Sequence, residues 1–457
     1  MNTCFLTQYS VKGIKALDHL ITLSFYKKNI TKDLNIRDYN TKGIYGMNGS
    51  GKTAIIDSVK ILKNLLNNPD YLNNPLVQKN LDAIINKKNE ELFIEAEFIL
   101  RKENPLLYRY NITLGKSLTG KYVITHESLA YKKATAKGDS LTLVFEVGNG
   151  DIEYLIEEKG TEDIVNEINN KTKNLLLTAP LSELWFEKIF IENYSRGMSV
   201  SKDILTLSLL CLNAFETQVY VYLEQPDDHQ NYMEKVFLRN YIAHGVLEKG
   251  IEHLKDYRIK INNEYLLIMD TSNVIRKEDY GEFEKEVKKL NKFLHVFKPE
   301  LKKIEIDKKE DQDVLYCDLI MNYGSYRIHG EYESTGIKKL IKLYTYIEAA
   351  VDGSIVFIDE LDANLHDVYL CALLVYFMEY GKGQLCFTTH NVGPMDILKG
   401  NKKSIDFLSE NHRIYSWKTN GNYSPSRLYR NGMIEGSPFN VDSIDFIGTF
   451  SCESEEE

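Results

Sequence analysis

The stretch that decides the fold is Gly46-Met47-Asn48-Gly49-Ser50-Gly51-Lys52-Thr53. It matches G-x-x-x-x-G-K-[ST], the pattern of the phosphate-binding P-loop. The glycines permit a tight turn whose backbone N–H groups face inward and form a cradle for an anion. In such a loop Lys52 reaches the β- and γ-phosphates of a nucleotide, and Thr53 is a ligand of Mg²⁺. The predicted nucleotide-binding residues of the loop are Gly46, Asn48, Gly49, Ser50, Gly51, Lys52 and Thr53.

The sequence on either side of this loop has the pattern that a P-loop requires. Residues 41–45 read as a short strand, and residues 54–62 read as a helix. The loop would then lie at a helix N-terminus, where the helix dipole and the free N–H groups favour phosphate. A chance glycine turn is the alternative interpretation, and two motifs further along the chain argue against it.

The composition is that of an ordinary globular protein, with 43% hydrophobic and 27% charged residues in 457. This length allows two or three domains, or one large domain with an insertion. No window approaches 18 consecutive apolar residues, so we expect no membrane-spanning helix. The first residues lack the basic and apolar regions of a signal peptide, which predicts a cytoplasmic location.

Charge and cysteine content argue against general nucleic-acid coating and against disulfide or zinc sites. A net charge of −10 argues against general coating of nucleic acid, although it leaves room for a local basic groove. The six cysteines are scattered and show no C-x-x-C spacing, so we expect reduced core cysteines and neither a disulfide framework nor a zinc site. The acidic end at residues 453–457 reads as a solvated tail.

Periodicity divides the chain into three parts. Alternating apolar and polar residues predict strands at residues 5–8, 20–25, 92–100, 108–114, 122–131, 141–147 and 152–156, with a hairpin turn at 148–151. Helical patterns follow at 163–177, 181–192, 201–222, 233–254 and 280–294, and a strand pattern returns at 314–322. The predicted domains are the N-terminal half of an ATPase domain at 1–158, a helical insertion at 159–310, and the C-terminal half at 311–457. An apolar seam at 283, 287, 290 and 294 favours core packing over a coiled-coil partner site.

A second motif is the apolar run at residues 354–358 that ends in Asp359 and Glu360. A run of this kind is typical of a strand buried on both faces of a parallel sheet, and ligands bind at the carboxyl ends of such strands. Asp359 would hold Mg²⁺ there, and Glu360 would polarise the water that attacks the γ-phosphate. The alternative for such a pair is a helix-capping acid.

Two more segments have the same kind of chemistry. Residues 384–389 form another apolar run that ends in His390, which could hydrogen-bond the γ-phosphate and the attacking water. Upstream, Ser334 can cap a helix whose free N–H groups would form a second phosphate-binding device. Each segment alone has a simpler explanation, namely a loop histidine at a strand end and an ordinary capped helix.

The order of these motifs resembles that of ABC-type ATPases. The resemblance implies a P-loop α/β fold with a mixed sheet, an antiparallel β lobe and a helical insertion. It also implies that Ser334, Gly336 and Lys338 belong to a signature helix that contacts the nucleotide held by a second subunit. Glu360 matches the catalytic glutamate and His390 the switch histidine, beside Lys52. No N-K-x-D guanine-reading motif is present, so the expected cofactors are ATP and Mg²⁺.

Finer details resemble the prokaryotic ABC-type AAA ATPases of phage defence and abortive infection, at residues 333–340, 359–366 and 388–391. Within these, AriA-like ATPases of PARIS systems come first, and PtuA-like and OLD-like ATPases next. The resemblance implies a homodimer or larger homo-oligomer, a nuclease effector encoded nearby and a phage protein as trigger. It covers roughly residues 1–60 and 330–440, and no Q-loop glutamine can be placed. Leu365-His366 replaces the Leu-Asp of many ABC proteins, a difference that this subfamily shares.

Two other classes of function remain open at this point. One is an SMC-like ATPase of DNA repair or recombination, although no long heptad array is present for a coiled-coil arm. That function would need a basic groove, whereas solvated helix faces explain the lysine clusters as well. The clusters are Lys338, Lys339 and Lys342, and Lys285, Lys288, Lys289 and Lys292. The other class is an ATP-gated clamp without hydrolysis. DNA is therefore a possible but less favoured partner, and no membrane is expected.

Overall fold

The structure is a computed structural model, which describes residues 4–31, 34–100, 105–138, 140–195, 203–223, 268–311, 314–418 and 423–437. The strands, in chain order, are β1 (Cys4–Lys12), β2 (Ile21–Ser24), β3 (Thr41–Gly46), β4 (Glu91–Leu100), β5 (Leu106–Lys116), β6 (Tyr122–Lys133), β7 (Thr142–Gly148), β8 (Asp151–Leu155), β9 (Val219–Tyr222), β10 (Asn273–Arg276), β11 (Lys303–Asp311), β12 (Val314–Asn322), β13 (Arg327–His329), β14 (Ile355–Ile358), β15 (Gln384–Thr388), β16 (Ile405–Leu408) and β17 (Ile414–Ser416).

The helices, in chain order, are α1 (Lys52–Asn67), α2 (Pro75–Ile84), α3 (Glu162–Thr172), α4 (Leu181–Trp185), α5 (Ile191–Ser195), α6 (Ile204–Thr217), α7 (Tyr280–Phe297), α8 (Thr335–Asp352), α9 (Asp367–Tyr380), α10 (Met395–Leu398) and α11 (Pro425–Arg430). A π-helical turn, Phe186–Phe190, joins α4 to α5.

A six-stranded sheet holds the P-loop, in the order β17-β16-β3-β15-β14-β9. All neighbours in it are parallel except the edge pair β16 and β17. β14 is a continuous apolar run whose four residues are all buried, as expected for a strand covered on both faces. Because β15 lies between β3 and β14, the P-loop, Thr389-His390 and Asp359-Glu360 follow the ends of three adjacent strands.

Helices cover this sheet on both faces. Successive residues of β14 point into different cores. Ile355 and Phe357 pack in the core that contains the apolar face of α1, whereas Val356 and Ile358 pack with residues of α8 and α9. The P-loop helix and the helix that begins after Ser334 therefore lie on opposite faces of the sheet.

A seven-stranded antiparallel sheet, in the order β2-β1-β4-β5-β6-β7-β8, forms the β lobe. The expected hairpin joins β7 to β8, with Gly148 paired to Asp151. Asn149 and Gly150 have φ values of 48° and 88° in its turn, as a two-residue turn of the I′ type requires. The third sheet is β10-β12-β11, with β13 on β12, and α7 packs against it through the buried seam residues Phe283, Val287, Leu290 and Leu294.

The described architecture is the one expected for an ABC-type P-loop ATPase: a mixed α/β core sheet, an antiparallel lobe and inserted helices. One predicted helix needs correction, because residues 219–222 of the segment 201–222 form β9 and pair in parallel with β14. Their sequence, Val-Tyr-Val-Tyr, has the β-branched and aromatic residues that strands favour. The predicted helix at 233–254 lies outside the described residues. The domain boundaries at 158 and 310 stay a prediction, and β9 belongs to the core sheet although it falls between them.

Within the part of the chain that the structure describes, no helix combines the length and the apolar character that crossing a bilayer demands.

Candidate nucleotide-binding site

The P-loop connects β3 to α1 with the geometry that its glycines predict. Gly49 and Gly51 have φ values of 80° and 105°, in the left-handed region that favours glycine. A Cβ on Gly46 would lie 2.5 Å from the carbonyl oxygen of Leu408 and 2.8 Å from Ser50 Oγ. The first glycine of the motif is thus required by close approach, and the other two by backbone conformation.

The loop has properties that fit a phosphate. Gly51 is the N-cap of α1, and among the described residues no side chain caps this helix, so its first N–H groups suit an anion. The hydroxyl of Ser50 is buried and has no hydrogen-bond partner within the described part of the chain. Asn48 is exposed at the tip of the loop, and Thr53 is half-buried in the first turn of α1.

Lys52 is buried, and its ammonium lies over the loop, where it donates to the carbonyls of Gly46 at 2.7 Å and Met47 at 2.9 Å. Burial lowers the pKa of Lys52 to about 8, although the carboxylates of Asp359 and Glu360 favour the charged form. A polyphosphate bound beside this amine would stabilise its charged form and raise its pKa again.

Asp359 and Glu360 directly follow β14, as predicted, and a neighbouring strand orients both. Thr388, the last residue of β15, donates from its hydroxyl to Asp359 Oδ1 at 2.5 Å and accepts the backbone N–H of Glu360 at 2.8 Å. Asp359 is nearly buried, whereas the Glu360 side chain is exposed. One carboxylate, the hydroxyl of Thr53 and nucleotide phosphates form the kind of ligand set that Mg²⁺ accepts in proteins.

His390 is exposed immediately after the buried Thr389, in a turn that has its own hydrogen bonds. The N–H of Asn391 donates to Thr389 Oγ1 at 2.9 Å, and the Asn391 amide donates to Asp367 Oδ1 at 2.9 Å. This turn therefore contacts the start of α9. Because β14 and β15 are adjacent, His390 follows the end of the strand that lies next to the one preceding Asp359.

Ser334 caps α8, and its Oγ accepts the N–H of Ile337 at 3.4 Å. Ser334 is exposed and Gly336 and Lys338 are half-buried at the first turn of this helix. A Cβ on Gly336 would lie 3.0 Å from the carbonyl oxygen of Asn364. Because α8 and α1 lie on opposite faces of the sheet, the predicted signature residues are separated from the P-loop of their own chain by the sheet.

The structure also reveals residues at the site that the motifs did not identify. Thr388 stands inside the Thr-Thr-His run, where only its position at the end of an apolar strand could have indicated a role. Lys339 donates to the Glu360 carbonyl. His412 Nδ1 lies 3.1 Å from the carbonyl oxygen of Ser50 in the P-loop. Lys15 pairs with Asp57 of α1, and no local pattern relates these two positions.

Comparison with known proteins gives a distant structural similarity only. No known protein-family profile matches the chain, and no curated protein matches its sequence. Two solved structures of "the recombination mediator protein RecF" in the RecFOR pathway are similar to it. The ATPrS form aligns over 91% of this chain and 99% of its own, at 11% identity and a TM-score of 0.37. The ATP form covers 91% and 98%, at 11% identity and a TM-score of 0.35. At such low scores, the assignment of the fold depends on the strand order and loop geometry above.

Proposed function

We propose that this protein is an ABC-type ATPase that binds and slowly hydrolyses ATP between two copies of the chain arranged head to tail. The observation that carries the proposal is the convergence of three strand ends. The P-loop, Asp359-Glu360 and Thr389-His390 follow β3, β14 and β15, while the exposed start of α8 lies across the sheet. A second subunit would bring its Ser334 helix to the nucleotide that these strand ends hold.

In this proposal each side chain has a distinct task. The P-loop N–H groups and Lys52 hold the phosphates, and Thr53 and Asp359 hold Mg²⁺, which would neutralise charge on the phosphates. Glu360 orients the attacking water and accepts its proton. Its carboxylate is exposed and directly follows the Mg²⁺ ligand Asp359, so it can reach a water beside the bound phosphates. His390 donates a hydrogen bond to the γ-phosphate. The start of the partner's α8 adds N–H groups to the same phosphate.

We further infer a role as sensor and scaffold in an antiphage defence complex. Support comes from the resemblance of residues 333–340, 359–366 and 388–391 to ATPases of abortive infection, with AriA-like ATPases of PARIS systems first. ATP binding would hold a nuclease effector that is encoded nearby, and a phage protein would release it. The inserted part of the chain, near residues 160–310, is the proposed surface for sensing or assembly.

The alternative is an SMC-like ATPase of DNA repair or recombination, which would need a basic groove. The described lysines give this alternative little support. On α7 they form ion pairs: Lys285 with Glu282 at 2.6 Å, Lys288 with Glu284 at 3.2 Å, and Lys289 with Glu286 at 2.8 Å. On α8, Lys339 is buried. Carboxylates beside lysines reduce the positive potential that attracts a phosphate backbone.

The first test is native mass spectrometry of the Glu360→Gln variant with ATP and Mg²⁺. We expect the variant to accumulate as an ATP-bound dimer, because binding persists while hydrolysis stops. Lys52→Ala should abolish nucleotide binding, and Glu162→Gln, at an exposed position of α3, should behave as the wild type. A Glu360→Gln variant without an ATP-dependent increase in mass would contradict the dimer. Turnover that survives this substitution unchanged would favour a clamp and refute the catalytic assignment.

The second test addresses the defence role. The tagged protein is expressed with its neighbouring genes, and its complexes are weighed under native conditions. A stable complex with a nuclease-sized chain supports the sensor role. A lone dimer that forms only with ATP, together with DNA affinity that falls steeply with salt, would favour the repair ATPase.

A further inference from the structure

We propose that Lys339 is a positioning residue that ties the Ser334 helix to the peptide of Glu360 in the same subunit. Docking of the helix on a partner's nucleotide would thereby set the geometry of Glu360 at the subunit's own nucleotide. The inference depends on the proposed head-to-tail ATPase and deepens it, because it assigns a route by which one site regulates the other.

The first observation is the environment of Lys339. This residue lies in the second turn of α8, and its side chain is only 3% exposed. Its ammonium donates to the carbonyl oxygen of Glu360 at 2.7 Å and lies 6.0 Å from the ring centroid of Tyr222 in β9. A buried ammonium is costly unless it is paired. The hydrogen bond from Lys339 to the Glu360 carbonyl is therefore a specific contact, unlike the loose contacts of a solvated lysine.

The second observation is the conformation of Glu360. Its φ is 47°, in the left-handed region that non-glycine residues adopt only when surrounding structure holds them there. The Glu360 N–H is held by Thr388 Oγ1 at 2.8 Å. Its carbonyl is held by Lys339 and also accepts the N–H of Ala363 at 3.1 Å. Without Lys339, the carbonyl would lose the only side-chain donor that the described structure assigns to it.

A backbone contact runs alongside this hydrogen bond. The carbonyl of Asn364, at the end of the same turn, would lie 3.0 Å from a Cβ on Gly336 in the first turn of α8. Asn364 also has a positive φ, of 62°. The turn at residues 360–364 is thus in contact with α8 at both ends, and a displacement of the helix must displace the turn, because packed elements do not deform continuously.

The consequence follows from the geometry of a head-to-tail dimer. The Ser334 helix of each subunit belongs to one nucleotide site, and Glu360 of the same subunit belongs to the other. A fixed link between them couples the two sites, so that hydrolysis at one depends on occupation of the other. Lys339 is the side chain that carries this link.

The test compares Lys339→Met with the wild type and with Lys342→Met, a half-buried lysine one turn along α8. We expect Lys339→Met to lower kcat by about tenfold or more and to bring the Hill coefficient for ATP toward one. Its Kd for ATP should stay within about threefold of wild type, since the P-loop is unchanged. Lys342→Met should keep kcat and the Hill coefficient, and Lys339→Arg should restore part of both.

A merely structural lysine would lower the midpoint of thermal unfolding without changing the Hill coefficient of the folded protein. If Lys339→Met does not fold, Lys339→Gln replaces it. Because glutamine keeps a hydrogen-bond donor, we expect the same changes in kcat and Hill coefficient, but smaller ones. If the wild type hydrolyses ATP and the folded Lys339→Met variant has the same kcat and Hill coefficient, this inference alone is overturned. A wild-type protein that binds ATP without turnover overturns it together with the proposed ATPase.

Discussion

Thr388 and Asp359 are joined by a hydrogen bond of 2.5 Å, in which the threonine hydroxyl donates to the carboxylate. The same hydroxyl oxygen accepts the backbone N–H of Glu360 at 2.8 Å. One buried side chain on β15 therefore orients the predicted Mg²⁺ ligand and fixes the peptide of the predicted catalytic residue, both of which follow β14. Groups that orient metal ligands in this way usually influence metal affinity and activity strongly.

Thr388→Val tests this arrangement, because valine has nearly the same shape but cannot donate or accept. We expect ATP turnover to fall by about 10- to 100-fold, and the free energy of unfolding to fall by about 1–3 kcal/mol. The matched control is Thr172→Val, which removes a buried hydroxyl that donates to Ile168 O at 2.7 Å in α3. The control should lose comparable stability but keep its turnover. Equal turnover in Thr388→Val and wild type would show that the hydroxyl is structural only.

The pKa of Lys52 predicts how nucleotide binding depends on pH. Burial lowers that pKa from 10.5 to about 8 in the protein without nucleotide, and bound phosphates favour the charged amine and raise it again. Below pH 8 the lysine is already charged; above pH 8 binding must take up a proton. We expect the Kd for ATP to be nearly constant below pH 8 and to rise by about tenfold per pH unit above it.

Isothermal titration calorimetry at pH 8 in two buffers of different ionisation enthalpy measures this proton uptake directly. The terminal phosphate of ATP is already ionised at this pH, so it does not contribute a comparable change. Lys52→Arg is the control, because a guanidinium stays charged throughout, and its Kd should show no such dependence whatever its absolute value. A wild-type Kd that stays flat up to pH 9.5 would contradict the lowered pKa.

Gly13, in the turn between β1 and β2, is predicted to tolerate no side chain. Its φ is 87°, and a Cβ would lie 1.8 Å from the carbonyl oxygen of Glu91. Gly120 has a similar φ of 79° but has open space around it. Gly120→Ala should therefore cost only the conformational strain of about 1–2 kcal/mol. Gly13→Ala should cost more than about 3 kcal/mol, because a strand must also move. Urea unfolding of both variants separates the cost of the clash with Glu91 from the conformational strain. Equal losses of unfolding free energy would show that the turn at Gly13 can shift freely.

The sequence predicts the residues of the candidate site better than it predicts the residues that position them. The P-loop, the buried strand before Asp359 and the capping role of Ser334 are each encoded within a few residues, so pattern and composition identify them. Lys339 and Thr388 each contact the backbone of Glu360, from which they are 21 and 28 residues away in the sequence. Contacts between residues so far apart in the sequence form only when the sheet brings their segments together. The helical prediction for β9 is wrong for the same reason. Its pairing with β14, which is distant in sequence, outweighs the helical pattern that precedes it.

A buried glutamate in the β lobe predicts a pH dependence of stability. Glu127 on β6 has no exposed surface; it accepts the hydroxyl of Tyr110 at 3.0 Å and the N–H of Leu181, at the start of α4, at 2.7 Å. Burial raises the pKa of Glu127 from 4.5 to about 7, and these hydrogen bonds only partly oppose that rise. Between pH 4.5 and 7 the folded protein thus keeps a proton that the unfolded chain has released.

Stability must consequently fall as the pH rises through this interval, since the folded state binds more protons than the unfolded state there. The loss associated with Glu127 is complete above pH 7 and amounts to about 3 kcal/mol. Glu127→Gln is neutral at every pH, and its carbonyl oxygen can still accept the Leu181 N–H. Urea unfolding at pH 5, 6, 7 and 8 should show the variant gaining on the wild type as the pH rises. A difference in unfolding free energy that is the same at all four values would mean that Glu127 is already charged in the folded protein at pH 5.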